Sequence, residues 1–91
     1  MRHLLLLLLF PVLTGCATAL SDRDRCGQLV DSAWKELDAA KVEGFAGTIS
    51  YAKAAGLLTR AKGNQAVEDF ADCVDTATRA RFFIAESRKG R

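Results

Sequence analysis

Proline, histidine, tryptophan, tyrosine and methionine each occur once in the 91-residue chain, and these scarcities narrow what it can do. The single proline is Pro11, so nothing downstream interrupts a helix by ring closure. The single histidine is His3, which leaves residues 4 to 91 without an imidazole for acid–base work or metal ligation. Excess charge of one sign is also lacking: 13 basic residues face 11 acidic ones, for a formal charge of +2. No net field therefore steers the chain toward nucleic acid. Glycine-rich phosphate loops, alternating strand patterns and Pro/Gly/Ser linkers are missing too, and the length allows one domain.

The long apolar run stands at the beginning. Met1-Arg2-His3 is a short cationic segment, followed from Leu4 to Leu13 by about ten apolar residues. Crossing some 30 Å of hydrocarbon takes about 20 apolar residues, so the run is too short to span and has the shape of a signal peptide. As a core helix it would lack a polar face and leave too much apolar surface for so small a domain.

The run ends at Leu13-Thr14-Gly15-Cys16, which resembles the lipobox of bacterial lipoproteins: an apolar residue, two small ones and a cysteine. The resemblance covers about 16 residues. It implies that the Cys16 thiol receives diacylglycerol, that a signal peptidase cuts between Gly15 and Cys16, and that the new amine is acylated. Two or three acyl chains anchor firmly where one binds marginally. It further implies a signal over 1–15 and a lipidated tether over 16–20; the residues beyond read as a helical domain over 21–87 and a basic tail over 88–91. The aspartate that retains enterobacterial relatives in the inner membrane is replaced by Ala17 and Thr18, so the outer membrane, facing the periplasm, is the expected address. Cleavage would remove His3 and leave about 76 residues, near the size at which a covalent staple is needed.

From Ser21 onward the pattern is helical. Ser21-Asp22-Arg23-Asp24 reads as a capping box, and Cys26, Val30, Ala33, Leu37 and Ala40 recur at steps of three and four. A first helix is expected over about 22–43, stopped by Gly44. A second, over about 45–62, aligns Gly47, Tyr51, Ala54, Leu58 and Ala61 on one line and Phe45, Ile49 and Ala52 on another, as if covered on two sides. Gly63-Asn64 reads as a terminator followed by an N-cap. A third helix is then expected over about 65–87, with Ala66, Phe70, Cys73, Ala77, Ala80 and Ile84 inward. Its acidic residues, Glu68, Asp69, Asp72 and Asp75, precede Arg79, Arg81 and Arg88, the order favoured by the helix dipole. The tail 88–91 is expected to fray. The fold class is all-α: a three-helix bundle, or a helical hairpin plus a third helix. Trp34-x-x-Leu37 with Gly44, Tyr51 and Ala54-Ala55 also faintly resembles one tetratricopeptide hairpin, which would imply a peptide groove. The family's spacing is not kept, and no second unit follows where about three are needed.

Cys26 and Cys73 fall on the inward stripes of helices one and three, which run parallel in an up-down-up bundle. In the oxidising periplasm implied by the lipobox they are expected to form a disulfide, closing a loop of about 48 residues for about 4 kcal/mol. The alternative is two small apolar core residues. A metal site is not expected, since CxxC spacing and histidine are both missing.

No catalytic residues emerge. Ser32, Thr48, Ser50, Thr59, Thr76, Thr78 and Ser87 have no base in a motif around them, and Glu36 with Asp38 or Glu68 with Asp69 read as solvated faces. Gly56, inside the second helix, reads as a point of close packing. Arg79, Arg81, Arg88, Lys89 and Arg91 form a basic cluster with two readings, a contact to lipid phosphate or an acidic partner, or a solvated helix end. The chain ends in arginine, not in the terminal lysine by which a short envelope lipoprotein attaches to peptidoglycan. Trp34, Tyr51, Phe70, Phe82 and Phe83 read as core, yet adjacent Phe82 and Phe83 cannot both face inward, so one is expected to mark a contact surface. The expectation is a non-enzymatic, lipid-anchored envelope protein with a binding or structural role. It has no cofactor beyond the lipid on Cys16, no nucleic-acid partner and no small-molecule substrate; its partners are the membrane and an envelope protein. The alternative is an exclusion lipoprotein that blocks an incoming protein or conjugative apparatus. A lysis-type lipoprotein fits less well, because the helical domain is longer than membrane perturbation requires.

Overall fold

A computed structural model describes residues 20–91 as three helices: α1 (Asp22–Val42), α2 (Ile49–Ala66) and α3 (Phe70–Ser87). All three pack on one another as an all-α bundle, with the most extensive contact between α2 and α3. The expected signal, cleavage site and lipid site at 1–15, Gly15 and Cys16 lie outside the described residues.

α1 starts where a capping serine can hold it, for the Asp24 amide donates to Ser21 Oγ at 3.2 Å. Its buried residues are Cys26, Val30, Ala33, Leu37 and Ala40, the stripe read from spacing. Gly44, at φ 98°, turns the chain out of the helix; its amide donates to Lys41 O and that of Phe45 to Ala40 O. This paired Schellman closure satisfies carbonyls that a helix end leaves bare. It also places Phe45 against the core instead of in a second helix. α2 accordingly begins at Ile49, four residues later than expected. Thr48 is its N-cap, accepting from the Tyr51 amide at 3.1 Å while donating to Phe45 O at 2.9 Å.

Gly63-Asn64 does not end α2, which runs through both residues to Ala66. The Asn64 side chain reaches Thr76 Oγ1 at 3.5 Å and caps nothing. Closure comes instead at Glu68, a non-glycine residue at φ 63°, where the Glu68 amide donates to Gln65 O and the Asp69 amide to Asn64 O. α3 therefore starts at Phe70, not 65. Its far end repeats the closure, with Gly90 at φ 81°, its amide on Ser87 O and that of Arg91 on Glu86 O. The Ser50 amide also donates to Arg91 O at 3.1 Å, so the tail 88–91, expected to fray, is tied to the start of α2.

The core has two parts bridged by Trp34. Ala33, Leu37, Ala40, Ala54, Leu58, Ala80 and Ile84 form one; Cys26, Val30, Ala61, Cys73 and Ala77 form the other, toward Leu20. α2 buries only Ala54, Leu58 and Ala61. Ile49 is 74% exposed and Ala52 is also exposed, so the expected second covered side of α2 does not exist. Two partner helices cover one flank of it and leave the other to solvent.

Candidate functional site

Cys26 and Cys73 are joined in a disulfide, both fully buried, with Cα atoms 5.5 Å apart. Parallel α1 and α3 are then bracketed twice more at nearly constant offset. Arg81 forks onto Glu36 (Nε to Oε1 3.1 Å, a second nitrogen to Oε2 2.8 Å), and Arg88 forks onto Glu43 at 2.9 and 2.7 Å. The sequence separations are 47 for the disulfide and 45 for each fork, the signature of two helices in fixed register. Because the fork residues are partly exposed, solvent screens both pairs and neither contributes much to stability.

These pairs change the meaning of the basic cluster. Lys89 and Arg91 both bind Glu86 at 3.0 Å, and their hydrogen bonds hold its carboxyl below the usual glutamate range. Four of the five clustered cations are thus in ion pairs within the chain, Lys89 and Arg91 sharing one carboxylate. Arg79 is the exception, with no ion pair among the described residues. Across from it on α2, Lys53 also lacks an ion pair there, and its ammonium lies 5.3 Å from the centroid of the Phe83 ring.

Arg79 and Lys53 flank an open cleft of about 410 Å³ between α2 and α3, floored by Ala52, Gly56, Leu57 and Phe83. A Cβ at Gly56 would meet nothing within 4 Å, so the close packing expected there is absent among the described residues. Phe83 is half-buried and Phe82 is 60% exposed, the rings meeting edge to face at 5.2 Å; of the adjacent pair, Phe82 is the one turned outward.

Two other clefts mix both charge signs. One, beside Leu20, is lined by Arg23, Asp24, Asp31 and Glu68, with Arg23 5.6 Å from the Phe70 ring centroid; the other, between α1 and α3, holds the Glu36–Arg81 fork. At the start of α3, the hydrogen bond and like charge of Asp69 raise the Asp72 carboxyl above its ordinary value. Four of the hydroxyls serve the backbone: Thr48 caps α2, while Thr59, Thr78 and Ser87 donate to carbonyls of the preceding turn. Among the described residues no group of three or more His, Cys, Asp or Glu side chains gathers to hold a metal, and no helix is long and apolar enough to cross a membrane.

The disulfide was foreseeable from residue spacing, whereas the α2–α3 cleft was not. Its signal lay in Lys53 and Gly56 sharing one flank of α2 opposite Arg79 of α3, which becomes meaningful only once the other cations are seen to be paired. No family model, curated protein or solved structure matches this chain.

Proposed function

We propose that this protein is a small envelope lipoprotein, held by diacylglycerol and acyl chains on Cys16 at the outer membrane and facing the periplasm, with a non-enzymatic binding or structural role. The observation that carries the reading is the Cys26–Cys73 disulfide. In a chain with three cysteines it leaves only Cys16 unassigned, at the end of the lipobox-like Leu13-Thr14-Gly15-Cys16. A structural disulfide also fits an oxidising compartment, the one a lipoprotein signal leads to. A role without catalysis is supported by the loss of the sole histidine with the signal and by the engagement of the Thr48, Thr59, Thr78 and Ser87 hydroxyls with backbone. The partner is an envelope protein in the periplasmic space.

Mass spectrometry of the protein purified from its membrane tests this reading. The expected species begins at Cys16 and carries diacylglyceryl and amide-linked acyl groups. A chain that retains Met1, or an unmodified Cys16, contradicts it.

A further inference from the structure

The α2–α3 cleft is the one concave surface described above whose charged lining residues all carry one sign. Its charged lining residues are Lys53 and Arg79, with no carboxylate among the lining and no ion pair to either among the described residues. Between them, the missing side chain of Gly56 opens a gap over Leu57 and Phe83 wide enough to admit an apolar group. An exposed glycine inside a helix is less favourable than alanine, and nothing among the described residues packs against it in return. We infer that this cleft docks an acidic peptide segment of a periplasmic protein, seating one apolar side chain over Gly56 with flanking carboxylates on Lys53 and Arg79.

Charge complementarity selects an anionic occupant, and position selects a protein over a lipid. Arg79 and Phe83 lie about 14 and 20 Å along α3 from Phe70, at 1.5 Å per residue, toward the end away from Leu20. With the anchor at Cys16, four residues before Leu20, the cleft lies toward the end of the bundle farther from the anchored end. This part rests on the lipid-anchored reading, but the test below does not require it. Failure of the anchor shows in the mass of the chain, and failure of the cleft shows in peptide binding.

Two fluorescein-labelled peptides of equal length serve as probes against the full mature protein in detergent micelles, one with leucine between glutamates and one with leucine between lysines. Anisotropy should rise with the acidic probe and not with the basic one. The double variant Lys53→Glu/Arg79→Glu should weaken acidic-probe binding at least about tenfold. Gly56→Leu should do the same with the charges intact, because its side chain fills the gap. Circular dichroism and thiol counting check that the variants keep their helices and their disulfide; all three positions are exposed or partly so. The proposal is overturned if the acidic probe fails to bind at about 1 mM, if both probes bind alike, or if the variants bind as the parent does. It is equally overturned if laurate occupies the cleft and the peptide does not. A dimer that Gly56→Leu dissociates overturns it too, since the occupant is then a second copy.

Discussion

Three residues with positive φ, Gly44, Glu68 and Gly90, each turn the chain out of a helix in the same hydrogen-bonded closure. Glycine adopts this conformation freely, whereas a side chain costs about 1–2 kcal/mol. Gly44→Ala should therefore lower stability by about 1 kcal/mol, and Glu68→Gly should raise it by about 0.5–1 kcal/mol after the entropy that glycine adds to the unfolded chain. Gly63→Ala should also stabilise, by up to about 1 kcal/mol, because Gly63 is an exposed helix-interior residue with open space around it. Urea unfolding of the variants reads all three signs. Gly44 and Gly63 look alike in the sequence, each following an amphipathic run, and only Gly44 ends a helix. The difference lies in contacts the sequence does not display. Phe45 can fall onto the core just after Gly44, while Asn64 after Gly63 is drawn to Thr76.

Among the elements, α1 and α3 were legible because their inward residues repeat at helical spacing with little ambiguity. α2 was harder to read. Its small residues distribute around the whole helix, so periodicity alone could not tell a doubly covered helix from one with an open flank. That open flank is where the cleft lies, which is why the stripe reading concealed the candidate site. The register between α1 and α3 rests on the disulfide and the two arginine forks. Replacing Cys26 and Cys73 together by serine frees a loop of sequence separation 47 and should cost about 4 kcal/mol in the chain-entropy model. Thermal unfolding should show a large drop in midpoint, whereas Arg81→Ala or Arg88→Ala should move it little.

The end of α3 also sets a pH dependence. Hydrogen bonds from Lys89 and Arg91 depress the Glu86 carboxyl, so its contribution is present above the ordinary glutamate value of 4.5 and is lost as pH falls through the depressed one. Asp72 acts in the opposite sense: its raised carboxyl favours the fold at low pH and loses that contribution as pH rises through its folded value. Glu86→Gln should flatten the acid limb of stability against pH, and Asp72→Asn should steepen it. Urea midpoints measured from pH 3 to pH 7 check both directions.

At the scale of the whole molecule, the described residues form a stapled helical bundle with most clustered charges paired internally and one cationic, apolar-floored cleft left open. Such a body suits a protein that presents a surface. The proposed address rests on a different part of the chain: four residues, Leu13 to Cys16, that no packing argument reaches. Cysteine arithmetic joins the two parts: the bundle consumes Cys26 and Cys73, and the proposed lipoprotein reading assigns the remaining Cys16 to the lipid. Labelled palmitate supplied to cells producing the full chain or its Cys16→Ala variant tests that central claim most directly. The account predicts strong incorporation into the parent and none into the variant, which should accumulate as an uncut precursor. Label retained by Cys16→Ala, or absent from both, would contradict it.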